Sequence, residues 1–411
     1  VNKKFSFRKL INRMHLWVGL PSALILFVVC LTGTIYVFNK EITKWVERDK
    51  FYVKVVDGTS MLPAEELITR VEKENKGLKV SAITVPAAKD EAWTFSLAEK
   101  KKKEERPAGK GTKPKREKVQ SFLVDPYTGK IQGNAQTTTS EFFNTVLEMH
   151  RWLMMDHEIG SVVTAVAAFL FLFLEISGLA LWLPAKLKTW KRWNAWKPGF
   201  AIKTGAHWKR VNHDMHKAFG FYTFLIITIL AITGPVFSLE WYRKAFHTSL
   251  GAKMPVKGEE APGSVKPADS LAQPLKASEW IAAANSVYPY PGDLRVALPK
   301  GNTGSVSISK TKTGFIASAG ADKLVLDQYS NNIIRNEKFS EKTTGQQISA
   351  MVKAIHTGEV FGTFSKIIYF LACLTATSLP VTGIIIWINK MRKSRKKRAV
   401  AIPRQPHLQA V

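Results

Sequence analysis

The apolar positions of this chain gather into four long runs, at residues 16–38, 159–183, 219–239 and 367–388. Each is longer than the roughly eighteen residues that carry a helix across a bilayer. The first and third runs open almost alike. Met14-His15-Leu16-Trp17-Val18-Gly19 leads a run that reaches Thr32-Gly33, and Met215-His216-Lys217-Ala218-Phe219-Gly220 leads one that reaches Thr233-Gly234, 201 positions further on throughout. A constant offset of this kind predicts an internal duplication. In the first run His15, Gly19, Ser22, Leu26 and Gly33 share one narrow helical stripe, which the third repeats as His216, Gly220, Thr223, Ile227 and Gly234. Such a stripe of small and weakly polar residues is what a packed inner face looks like in lipid, where close backbone approach replaces the hydrophobic drive. Packing accounts for the glycines but not for the histidines.

The polar stretches after the first and third runs read as two copies of one plan. In the first, residues 62–71 carry a proline near their start and helical periodicity, which predicts a surface helix. Alternating runs at 81–85, 93–97 and 121–124, then the turn Asp125-Pro126-Tyr127-Thr128-Gly129 into Lys130-Ile131, predict an antiparallel meander. In the second, a helix at 277–287 precedes strands at 295–298, 305–309, 315–318 and 324–326 and the turn Asp327-Gln328-Tyr329-Ser330-Asn331. Asn331 stands where Gly129 stood, and these two residue types best tolerate a left-handed backbone. The lysine-rich residues 100–118 have no counterpart. They are too charged to pack, and predict a solvated hairpin loop or, as the functional alternative, an electropositive lure for an anionic ligand. Residues 251–273, rich in Pro, Gly and charge, read as a linker.

The net charge of +28 would suit a nucleic-acid partner, but its placement excludes that reading. Lys3, Lys4, Arg8, Lys9 and Arg13 precede the first run, a basic loop joins the second to the third, and residues 390–398 follow the fourth. That is the positive-inside pattern, so both termini and the middle loop are expected in the cytoplasm and the two long loops outside. In the middle loop Trp190, Trp193 and Trp196 stand three apart among cations, which predicts an amphipathic segment in the headgroup plane, with docking of an electron donor as the alternative. The basic lead of the first run has no small-x-small cleavage site after it and reads as an uncleaved anchor. The two cysteines, Cys30 and Cys373, fall inside runs one and four, so no disulfide framework is expected. A Cys-x-x-Cys-His motif is absent, which excludes covalently attached c-type haem by its usual signature.

The chemistry rests on histidines. A pseudo-twofold axis along the membrane normal would relate His15 to His216, and a bis-imidazole cofactor on that axis satisfies both copies at once. Gly19 and Gly220, one turn deeper, would leave room for a porphyrin face. His213 is a rival ligand or a donor to His216. A second pair, His150 and His356, precedes runs two and four. Their spacings to Ser177-Gly178 and Trp182, and to Thr382-Gly383 and Trp387, agree to one residue. His157, two turns after His150, is its substitute. Zinc competes for histidine pairs but usually takes four ligands, whereas haem takes two axial donors in a hydrophobic slot. Glu175 is a charged side chain at membrane depth, hence a candidate proton-linked group or a hydrogen-bond partner of the inner cofactor, with a neutralised structural role as the plain alternative. His207, His247 and His407 have no repeat partner.

Taken together, Met-His-x-x-x-Gly in runs one and three, Met149-His150-Arg151-Trp152-Leu153, Asn212-His213-Asp214-Met215-His216, His356-Thr357-Gly358-Glu359-x-x-Gly362, the two Ser/Thr-Gly plus Trp endings and the two Asp-x-Tyr-Thr/Ser-Gly/Asn turns resemble the PepSY-associated transmembrane family, from about residue 5 to 395. The resemblance implies an α-helical membrane bundle of four transmembrane helices, internally duplicated, with two α+β PepSY-like periplasmic domains. Its expected parts are 1–45 with the first span, 46–144 as the first outer domain, 145–185 with the second span, 186–206 as the cytoplasmic loop, 207–247 with the third span, 248–345 as the second outer domain, 346–391 with the fourth span, and the basic tail 392–411. It also implies a bacterial inner-membrane reductase that uses haem b, and the matched histidines suggest two such groups, one near each membrane face, on His15 and His216 and on His150 and His356. The partners it implies are a periplasmic ferric siderophore and an unidentified quinol or cytoplasmic-side electron donor, beside the lipid bilayer. The insertion at 100–118, Asn331 in place of the usual glycine and the extra His157 depart from the family pattern and bear on substrate choice. Two rival readings are a non-redox membrane module whose outer domains bind or inhibit an extracytoplasmic partner, and a metal or ion transporter.

Overall fold

The computed structural model describes residues 6–56, 58–99, 119–253, 262–264 and 273–401. The lysine-rich loop 100–118, most of the linker and residues 402–411, His407 among them, lie outside them. In chain order the main elements are α1 (Phe7–Tyr36), α2 (Ala64–Glu74), β1 (Leu78–Val85), β2 (Trp93–Glu99), β3 (Gln120–Val124), β4 (Ile131–Asn134), α3 (Thr138–Trp152), α4 (His157–Trp182), α5 (Trp193–Phe200) and α6 (Trp208–Thr233). They continue with α7 (Ala277–Val287), β5 (Gly292–Ala297), β6 (Val306–Lys312), β7 (Ala321–Leu326), β8 (Ile333–Glu337) and α8 (Gly362–Ala401). The chain divides into a helical unit of residues 1–37, 146–245 and 367–411 and a sheet unit of residues 38–145 and 246–366.

Among the described residues four stretches are long and apolar enough to cross a membrane: Phe7–Tyr36, His157–Trp182, Trp208–Ser238 and Gly362–Lys393. They coincide with the four predicted runs, but α1 and α6 begin about ten residues earlier than the apolar pattern does, because helical hydrogen bonding continues through polar side chains. His15 and His216 therefore lie about two turns inside their helices. The Asp156 carboxylate starts α4 by accepting the Glu158 N–H. The inner stripe is buried as its spacing predicts, with Ser22 and Leu26 of α1 matched by Thr223 and Ile227 of α6. Burying these hydroxyls costs little because each donates back along its own helix, Ser22 Oγ to the Val18 carbonyl (2.7 Å) and Thr223 Oγ1 to that of Phe219 (2.9 Å). Leu26 packs with Ala167 and Leu174 of α4, and Ile227 with Cys30, Cys373, Ala376 and Leu379. Both thiols are free and buried.

The sheet unit departs from two separate outer domains. Its strands form one antiparallel sheet in the order β4-β3-β2-β1-β5-β6-β7-β8, joined at its centre where Ile83 of β1 pairs with Val296 of β5 and Thr84 with Arg295. A single core runs across that join: Leu67 and Val71 of α2 and Trp280 and Ala284 of α7 pack with Ile83, Phe95, Val296, Ile308 and Leu324. Ile83, Phe95 and Val296 are fully buried, each worth about 1.5–3 kcal/mol relative to exposure. Both predicted turns form alike. Asp125 accepts the Tyr127 N–H and Asp327 that of Tyr329, each at 2.8 Å, and Gly129 (φ +73°) and Asn331 (φ +58°) are left-handed as expected. One predicted strand fails. Residues 315–318 contribute only an isolated bridge from Ser318 to Phe361, because β6 extends to Lys312 and pairs with β7 from Ala321 on.

Candidate functional site

The helical unit encloses a cavity of about 290 Å³ whose walls come from α1, α4, α6 and α8. His15 and His216 both line it, with ring centroids 6.5 Å apart and planes at 85°. Each ring is held in the same way from the neighbouring helix. His15 Nδ1 lies 2.8 Å from Ser177 Oγ, and His216 Nδ1 lies 2.8 Å from Thr382 Oγ1. The Ser177 hydroxyl donates to the Leu174 carbonyl and the Thr382 hydroxyl to that of Ser378, so each oxygen is left to accept from the imidazole. With Nδ1 as the donor in these contacts, each ring keeps a lone pair on Nε2, the form in which imidazole binds a metal. Gly178 and Gly383 complete the match: a Cβ at either position would stand 3.4 Å from Cε1 of its histidine. A methyl there would just touch the ring, and side chains larger than alanine would crowd it.

The centroid spacing by itself matches that of two imidazoles on one metal. Two metal–nitrogen bonds of about 2.0 Å plus the distance of about 1.15 Å from Nε2 to each ring centre place two coaxial imidazole centroids about 6.3 Å apart. The cavity suits a flat apolar occupant as well. Gly19 and Gly220 both line it, and a Cβ added to Gly220 would meet nothing within 4 Å. Among the described residues no group of three or more His, Cys, Asp or Glu is placed to hold a metal ion, so the zinc alternative lacks the donors it usually takes. Haem needs only the two axial nitrogens present here.

The other sequence-selected residues separate clearly. His213 lines the cavity but is largely exposed, with Nδ1 4.0 Å from Asp214; His216 is the one that faces His15. Glu175 is buried in the cavity wall (6% exposed), and among the described residues no side chain hydrogen-bonds or ion-pairs with it. His150, on α3, donates from Nδ1 to the Val29 carbonyl at 2.9 Å and packs on Gly33 of α1, where a Cβ would stand 3.2 Å from the ring. His157 is exposed at the start of α4 against Trp152. His356 belongs to the sheet unit, in the short helix Val352–Thr357, so the expected partners of the second pair fall in different units.

Sequence reasoning missed Ser177, Thr382, Gly178 and Gly383 as supports of the first pair. Their matched Ser/Thr-Gly signal was visible, but it served as a ruler from His150 and His356. The tryptophan-rich loop folds onto the same region: Trp182 stacks on Phe221 (centroids 4.0 Å) and donates from Nε1 to the Gly199 carbonyl (3.0 Å). Trp190 and Trp193 remain exposed.

A bundle of four membrane-length helices around such a cavity, together with an antiparallel sheet unit, defines a multi-pass membrane protein. Within that class the chain belongs to the PepSY-associated transmembrane family, whose pattern, described as the PepSY-associated TM region, matches residues 12–390. No curated protein matches it.

Proposed function

We propose that the protein is a bacterial inner-membrane reductase that carries b-type haem on His15 and His216 and reduces ferric siderophore on the outer side, releasing Fe(II). The observation that carries this reading is the placement of two imidazoles, each held through Nδ1 by a hydroxyl of the neighbouring helix, 6.5 Å apart across a largely apolar, glycine-lined cavity. When bound, haem supplies one-electron redox chemistry. The chain's own share is to hold, orient and shield. His15 and His216 supply the two axial nitrogens, and Ser177 and Thr382 fix their tautomer and ring plane. Leu20, Phe171, Leu174 and Phe224 keep water from the cavity. Glu175, buried in the wall of the same cavity, is the candidate proton-linked group. The matched geometry of the two histidine supports fits an internally duplicated bundle, and the basic flanks of the spans orient both termini to the cytoplasm. The donor is a cytoplasmic-side or quinol reductant, and Fe(III) bound by oxygen-rich chelators is released on reduction because Fe(II) is held more weakly.

A reduced-minus-oxidised visible spectrum of the detergent-purified protein, expressed with adequate haem, tests the reading. Bands of b-type haem are expected, and replacing His15 and His216 by alanine should remove one haem per chain. Absence of such bands from the unaltered protein would sink the redox function.

A further inference from the structure

We propose that Lys217 and Lys390 form the anion-binding edge of the histidine cavity and decide which way round an amphipathic macrocycle sits in it. This rests on the haem reading above. The His15–Ser177 bond joins α1 to α4, and the His216–Thr382 bond joins α6 to α8. A plate held by these two histidines alone could enter in either of two orientations related by a half-turn. The charge on the walls is not matched in this way. Lys217 and Lys390, the cations that line the cavity, both belong to the α6/α8 wall. At the matching positions of the α1/α4 side stand Leu16 and Ala185. That wall carries instead the carboxylate of Glu175, whose counterpart on α8 is Pro380.

The nearby arginines are already committed. Arg8 donates to the carbonyls of Leu181 and Leu183, and Arg210 to the Asp214 carboxylate at 2.9 Å. Among the described residues no acidic side chain lies within ion-pair distance of Lys217 or Lys390, and Asp214, which attracts Lys217 at longer range, is already held by Arg210, so two ammonium groups border a largely apolar slot. Haem b is a flat apolar ring with two carboxylates on one edge. That edge is drawn to the α6/α8 wall, where both ammonium groups stand, so the cavity selects one orientation. A neutral-edged occupant such as a quinone gains nothing from the same two lysines.

The test compares haem b with its dimethyl ester, in which both carboxylates are masked and the ring and iron are kept. Full-length protein made under haem limitation is purified in detergent and titrated with each form by visible absorbance, the His15→Ala/His216→Ala variant serving to isolate the cavity site. For wild type the free acid should bind that site about tenfold more tightly than the ester, as two partly exposed ion pairs allow. The Lys217→Gln/Lys390→Gln variant should bind both forms alike, and Lys217→Arg/Lys390→Arg should restore the preference. The ratio is read on one preparation at a time, so partial misfolding of a variant does not alter it. If Lys217→Gln/Lys390→Gln keeps the tenfold preference, this proposal is overturned while the histidine site stands. If His15→Ala/His216→Ala takes up haem as wild type does, both readings fall.

Discussion

The hydroxyl behind His216 offers the sharpest test of how the site is built. Thr382→Val keeps the shape of the side chain but removes the oxygen that accepts the Nδ1 proton at 2.8 Å. Thr382 is only 6% exposed, so water cannot readily replace the lost partner. A buried donor left unmet costs about 1–3 kcal/mol, which the ring escapes by turning or by moving its proton to Nε2, and either change spoils the nitrogen meant for a metal. At about 1.4 kcal/mol per tenfold, this corresponds to roughly 5- to 150-fold weaker haem binding, in line with the 10- to 100-fold typical when a partner behind a ligand is removed. The assay is haem affinity at the His15/His216 site, from titration of the apo-protein in detergent. Thr382→Ser should stay close to wild type because it keeps the oxygen. Equal affinity of Thr382→Val and wild type, or equal loss in Thr382→Ser and Thr382→Val, would refute the tautomer argument.

Gly220 faces open space, so Gly220→Ala should leave haem content unchanged whereas Gly220→Phe, filling the cavity, should abolish uptake at that site with the fold retained by circular dichroism. At the centre of the sheet, Ile83→Ala should cost about 2–5 kcal/mol, and a double-mutant cycle with Val296→Ala in denaturant unfolding should show coupling of about 0.5–3 kcal/mol, since the two are direct partners. Additive effects would mean the two halves of the sheet do not share that contact. Burial pushes the Tyr288 hydroxyl up to about 12. The folded state thus favours the neutral phenol, and its contribution is complete below about pH 10, the unfolded value, and lost as pH rises toward 12. Stability measured against pH should fall across that window, less steeply in Tyr288→Phe.

Much of this architecture could be read from the sequence, because its signals are local. Four apolar runs, two helices at 62–71 and 277–287 and two Asp-x-Tyr turns each follow from spacing within about twenty residues, and each is present. The resemblance to the family was equally legible, since its motifs lie in order along the chain. What escaped depends on distance in sequence. The pairing of β1 with β5 joins edges far apart in the chain, and nothing in Ile83 or Val296 names the other strand as its neighbour. The supports of His15 and His216 lie more than 150 residues away at Ser177 and Thr382, so the histidines were visible without the groups that set their tautomer. The strand at 315–318 was misplaced because apolar residues there looked like a pleated run while β6 and β7 paired outside it.

The seam between β1 and β5 also has a consequence for how the protein is made. β1 ends at Val85 and β5 begins at Gly292, so at roughly 5–20 residues per second the ribosome takes about ten to forty seconds to deliver the strand that covers the first edge. Throughout that interval the nascent chain displays an unpaired, half-apolar ribbon of the kind that recruits stray strands. The bulge between Val80 and Ala82 twists that ribbon while it waits. Production of this protein should therefore be sensitive to the speed of translation and to any holding factor that shields strand edges, even though the finished fold presents no such edge at its centre.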